Sequence, residues 1–209
     1  RYYDYHLDRN NTNISGNVNE VKGTMNLAHA KLNRDESGWF NQTELTQKLV
    51  TGSLRHEVLY GAEFGKQNKD ANSWAAILVA PNVSIFNPVL QQVNRSKLGV
   101  RSDTFGTYDT AAAYVQDAIA FSDEWKALAG LRYDRYKQQS RLANALGVTT
   151  ADLSRTDAAF SPRAGLVWQP SAVQSYYASW SRSFQPSGEN FALAANNADL
   201  APETTRNTE

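Results

Sequence analysis

Cysteine is absent from the 209 residues, so disulfides and thiolate metal sites are excluded. Long apolar runs are absent as well. The longest, WAAILVA at 74–80, falls far short of the roughly 20 apolar residues a membrane-crossing helix needs. Neither charge is in excess, because 21 Lys and Arg balance 21 Asp and Glu. A nucleic acid or an anionic membrane surface therefore finds no electrostatic footprint. Histidine is scarce: His6, His29 and His56 are scattered, without the spacing of metal ligands. The serine of QPSGEN lies beside a glycine, but GxSxG is missing and no histidine is near, which leaves a nucleophilic hydrolase without support. These absences remove helical membrane proteins and leave a nucleophilic hydrolase or a side-chain metal site with little support. They do not remove a transmembrane β-barrel, whose strands need only about 9–11 residues and alternate polar with apolar, as a mean hydropathy of −0.55 permits. A water-soluble β-rich domain remains equally open at this point.

What is present is alternation. Residues 54–66 place Leu54, Val58, Tyr60, Ala62 and Phe64 on one face and Arg55, Glu57, Gly61, Glu63 and Gly65 on the other. WKALAGLRYDRY at 125–136 repeats the pattern, with Trp125, Ala127, Ala129, Leu131 and Tyr133 opposite Lys126, Gly130, Arg132 and Asp134. FSPRAGLVW at 160–168 and SYYASWSRS at 175–183 do so again, the latter setting Tyr176, Ala178 and Trp180 against Ser175, Tyr177, Ser179, Ser181 and Ser183. A period of two is the signature of strands. In 112–121 apolar residues fall on both faces, and the alternation assigns neither side.

Tight turns are expected at 51–53, 122–124 and 169–174, and long polar connections at 67–109, 140–157 and 185–203. Strands are expected over 1–9, 20–50, 53–66, 110–121, 125–139, 158–168 and 174–184, with another starting near 204. Short connections at one end and long ones at the other describe an up-and-down barrel with short periplasmic turns and longer outer loops. A soluble domain rarely carries several long structureless loops. Phe121, Trp125, Trp168 and Tyr176 lie beside the tight turns, where an aromatic girdle would meet the headgroups. The fold expected is all-β: an antiparallel transmembrane barrel, oily face outward and polar face toward a lumen, closed because lipid satisfies no backbone group. About eight strands do not close a large barrel, and the chain, beginning RYYDYHLDR and ending APETTRNTE, reads as a piece of something longer.

TAAAYVQDAIAFSDEWKALAGLRYDRY (110–136), FSPRAGLVWQP (160–170), SYYASWSRSFQPSGENFALAANNADLAPETTRNTE (175–209) and ELTQKLVTGSLRHEVLYGAEF (44–64) together resemble TonB-dependent ferric-siderophore receptors, most closely the catecholate receptors. The resemblance spans nearly the whole chain. It implies a 22-stranded outer-membrane barrel of a Gram-negative bacterium, of which 1–209 would be part. A plug domain would precede Arg1, and further strands would complete the wall. The implied function is uptake of ferric siderophore, energised by TonB with ExbB and ExbD acting through the plug. Iron would be carried as the chelate, with no cofactor bound directly by the protein, no catalysis and no nucleic acid partner.

Siderophore pockets of this family are built from loop aromatics and cations, which suit an anionic aromatic chelate. The resemblance points to Trp74, Phe86, Arg95, Arg101, Phe105, Arg141, Arg182, Phe184 and Phe191 as ligand-binding candidates. Arg55, Glu57, Glu63, Arg132, Asp134 and Arg163 are expected to face the lumen, as plug contacts or as a solvated ion-pair ladder. Alternatives with predictions of their own are a passive porin, which conducts and has no plug, a barrel lipase, which needs an outward Ser/His pair, and a soluble β-domain with Trp125, Trp168 and Trp180 buried.

Overall fold

The computed structural model describes residues 1–89, 96–186 and 193–209. Eight strands run in chain order: β1 Tyr2–Asn19, β2 Thr24–Thr51, β3 Leu54–Ser84, β4 Arg101–Ala120, β5 Trp125–Asn144, β6 Thr149–Ser171, β7 Gln174–Gln185 and β8 Glu203–Thr208. They form one antiparallel sheet in the order β1 to β8, each strand paired with its neighbours in sequence. The expected zigzag is present, and both outer edges of the sheet are open.

Turn chemistry explains the short end. Thr51 opposes Leu54, so the β2–β3 link has two residues, and Gly52 supplies the positive φ of 61° that such a turn takes at its first position. Between β4 and β5, Ser122 Oγ accepts from the backbone NH groups of Glu124 (3.2 Å) and Trp125 (3.1 Å).

The other end differs from expectation. Most of 67–109 and 140–157 is strand, because β3 continues to Ser84, β4 begins at Arg101, β5 ends at Asn144 and β6 begins at Thr149. β1 likewise runs ten residues past its expected end at 9, to Asn19. Within the apolar belt one face must be oily and the period shows. Beyond it no face has to be oily, so strict alternation lapses, into polar stretches or, at 74–80, into a continuous apolar run, and the backbone ladder continues regardless.

Register carries the two faces across the sheet. Leu131 lies between Val115 and Pro162, Ala129 between Asp117 and Ala164, and Ala127 between Ile119 and Leu166. This assigns the side left open in 112–121: Ala113, Val115, Asp117 and Ile119 share the apolar face with Tyr60 and Leu131. Few side chains are fully buried, as expected of a single layer; the exposed large residues include Leu131, Phe160, Leu166 and Trp180.

Candidate functional site on the polar face

All six residues expected to face a lumen share the side of the sheet opposite the apolar belt. Arg132 is their hub. Its Nη2 donates to Glu63 Oε2 at 2.9 Å and lies 2.8 Å from Asp134 Oδ1, and its guanidinium lies 5.2 Å from the Tyr114 ring centre. Tyr136 donates to the same Asp134 at 3.3 Å. Tyr114 in turn donates to Glu44 at 2.5 Å and accepts from Gln42 at 3.0 Å. Asp134 is buried, and a buried carboxylate is tolerated only when paired in this way. Nearer the short turns, Arg55 pairs with Asp123 at 2.8 Å and Lys48 stands 4.0 Å from Glu57.

Arg163 and Arg182 differ from Arg132 in making no ion pair among the described residues. They border a cavity of about 250 Å³ together with Tyr114, Arg132 and Ser161. Beside it a ring ladder runs from Tyr108 through Tyr136 to Phe184, with successive centres 5.8 Å apart. β7 parts from β6 beyond the Arg163–Ser181 pair, and this brings Phe184 against a ring of β5. Arg182 and Phe184 thus belong to the polar-face site.

The other ligand candidates do not gather there. Trp74, Arg101, Phe105 and Arg141 are strand residues rather than loop residues, and unbroken register places them on the side that carries the apolar belt, farther along the strands. Lys31 and Arg101 flank the Trp74 ring at 5.3 and 5.7 Å, and Arg141 lies 4.6 Å from Phe105. Phe86 stands in the β3–β4 connection with its ring over Gly23 of the β1–β2 turn. Arg95 and Phe191 lie outside the described residues.

Near Phe105 an open cleft of about 630 Å³ is lined by Asp4, Asp35, Asp70, Arg141 and Asp152. Burial, with Asp35 and Asp103 nearby, raises the Asp70 carboxyl above its ordinary value. The His6 imidazole is raised by its 2.6 Å hydrogen bond to Asp35. On the polar side of the same extension, Arg155 pairs with Asp157 at 2.8 Å, which raises its pKa, and donates to the Ala198 carbonyl at 2.8 Å, tying the β7–β8 connection to β6.

The four girdle candidates lie at the short-turn end. Trp125, Trp168 and Tyr176 stand opposite one another on successive strands with ring centres 5.7 and 5.5 Å apart, and Phe121 is exposed at the adjoining turn. One feature had no sequence signal: His56 and Asp117, 61 residues apart, meet at 2.7 Å on the apolar face. Tyr108, Tyr114 and Tyr136 were also missed as site residues. Their signal was the glycines opposite them or near them on the polar face, which alternation alone does not interpret.

Comparison with known proteins places this geometry. A family model described as TonB dependent receptor-like, beta-barrel matches residues 1–209. The metal-pseudopaline receptor CntO of Pseudomonas aeruginosa is 32% identical over 157 residues, covering 70% of this chain and 21% of that protein. The catecholate siderophore receptor Fiu of Escherichia coli K12 is 27% identical over 197 residues, covering 81% of this chain and 26% of that protein. The crystal structure of the siderophore receptor PiuA from Acinetobacter baumannii superposes on 99% of this chain with a TM-score of 0.82 at 22% identity, using 33% of its own length. The chain therefore spans about a fifth to a quarter of the length of the curated relatives it matches.

Proposed function

The chain belongs to the TonB-dependent receptor-like β-barrel family, and from that premise we propose that it is wall of a receptor importing a ferric siderophore of the catecholate class. Proteins of this family are transporters of the Gram-negative outer membrane, not enzymes. The apolar face is accordingly the lipid face and the polar face the lumen face. In this reading a plug domain precedes Arg1 and further strands close the wall. TonB, with ExbB and ExbD, draws on the plug to open a route, and iron travels as its chelate.

The observation that carries the reading to this ligand class is the cavity that Arg163 and Arg182, which make no ion pair among the described residues, share with Tyr114, together with the separate Tyr136–Phe184 ring contact. Guanidinium groups complement a multiply anionic chelate, and rings stack on catechols. A solvated ion-pair ladder would leave no cation spare. A second reading, a metal–pseudopaline chelate, is favoured by the higher identity to the CntO receptor. The ring ladder from Tyr108 through Tyr136 to Phe184 favours the catecholate.

The test is uptake of iron-55 tris-catecholate by iron-starved cells that carry or lack the receptor, with and without TonB. Accumulation that needs both supports the reading. Accumulation without TonB, together with steady conductance of the purified protein in planar bilayers, sinks it in favour of a passive channel.

A further inference from the structure

The interior glycines of β2–β6 are Gly38, Gly61, Gly65, Gly106, Gly130 and Gly165, and register places every one on the lumen face. At four of them the residue directly opposite on a neighbouring strand also closes over the glycine: Tyr3 at Gly38, Phe40 at Gly65, Tyr114 at Gly61 and Arg163 at Gly130. In each case the large side chain lies over the glycine. A Cβ on Gly61 would overlap the Tyr114 ring, one on Gly65 the Phe40 ring, and one on Gly38 would meet Tyr3 Cε1 at 2.5 Å. At Gly130 it would meet Arg163 Nε at 3.0 Å. These φ values are ordinary, so the glycines serve close approach rather than backbone freedom. At these four places the wall is tiled: Tyr3, Phe40, Tyr114 and Arg163 lie over backbone instead of projecting into the lumen.

Resting on the receptor reading above, we propose that the tiled wall of β3–β6 is a transit lane for a multiply anionic chelate that presents planar aromatic rings at its surface, and that Gly61 and Gly130 set its clearance. The flat Tyr114 ring, pinned by Glu44 and Gln42, offers a π face. Arg163, laid across Gly130, holds a cation beside it without obstructing passage, and Arg182 closes the same cavity. Arg132 is already neutralised by Glu63 and Asp134, so attraction toward the chelate falls to the other two arginines. A methyl group at residue 61 or 130 tips the tile inward. It narrows the lane without touching capture at the outer end.

The experiment uses the whole receptor in receptor-deficient, iron-starved cells, with iron-55 in a synthetic tris-catecholate as probe. Surface affinity and initial uptake rate are measured separately, and heat-modifiable mobility checks that each variant is inserted and folded. Gly61→Ala and Gly130→Ala are each expected to hold Kd within about twofold while uptake per receptor falls about tenfold, the scale on which small misplacements act. Adding Tyr114→Ala to Gly61→Ala removes the tile that tips and is expected to recover part of the lost uptake, short of wild type because the π face goes with it. Unchanged uptake in both single variants overturns the lane, and so does a loss that Tyr114→Ala does not relieve. If Gly61→Ala does not insert, Gly130→Ala carries the same comparison. A wild-type receptor that does not bind the probe overturns the catecholate reading itself, an outcome recognisably different from bound chelate that fails to move.

Discussion

Trp125, Trp168 and Tyr176 on the lipid face stack on one another, whereas Tyr3, Phe40 and Tyr114 on the lumen face lie over glycines of the next strand. The contrast comes from what each face meets. Lipid fills whatever gaps it is offered, so outward rings are free to stand and stack face to face at the turn end. A lumen that must hold or pass another body gains from a wall that keeps its bulk down. The same alternation that separates oily from polar residues therefore also separates standing side chains from lying ones.

The strongest way to break this comparison is to place the same charge on both faces. Leu131→Arg, in mid-belt on the lipid face, is expected to cost about 2–4 kcal/mol, while Ser179→Arg, on the lumen face, should leave stability within about 0.5 kcal/mol. Urea unfolding of the receptor in lipid vesicles reads both. Equal costs would mean that the faces have been assigned the wrong way round.

Next in size is Arg132→Leu. It strands Glu63 and buried Asp134 without their cation, at an expected cost of about 2 kcal/mol, reduced from the fully buried case because Arg132 is partly exposed. The same unfolding assay checks it, and Asp134→Asn in that background should recover part of the loss. Trp168→Ala removes the central ring of the stack and is expected to cost about 1–2 kcal/mol, seen as a lower midpoint of heat-modified mobility.

The smallest effect belongs to the extension beyond the belt. The Asp35 hydrogen bond raises the His6 pKa above its usual 6.5. Stability from the pair is therefore fully present below pH 6.5 and is lost as pH rises through the raised folded value. His6→Asn should lower the thermal midpoint slightly near pH 5.5 and leave it unchanged near pH 8.5. A difference that grows toward high pH would refute the assignment.

Much of this could be read directly. All eight expected strands lie on observed ones; within the belt an oily side is forced, and Leu54, Val58, Tyr60, Leu131 and Leu166 follow it strictly. What failed did so where that force ends. Trp74, Phe105 and Arg141 stand where the strict alternation of the belt has lapsed, so the sequence reads as connection there, although cross-strand hydrogen bonds hold them in long ladders. Arg182 and Phe184 came to the site through the parting of β7 from β6, and His56 and Asp117 through pairing between distant segments. Such partnerships depend on register, which a period of two does not determine.

Register is also where the glycine tiles have a further consequence, for assembly. A slip of one residue between strands turns oily side chains toward water and is strongly penalised. A slip of two preserves every face, and hydropathy barely distinguishes it from the native pairing. The tiles do distinguish it. Moved by two, Tyr114 would face Leu59 or Glu63 instead of Gly61, Arg163 would face Leu128 or Arg132 instead of Gly130, and Phe40 would face Glu63 or Gln67 instead of Gly65. Each mispairing stacks bulk against bulk on a wall with no depth to absorb it. The glycines therefore act as proofreading marks, rejecting the one class of misalignment that alternating hydropathy allows as the strands join edge to edge.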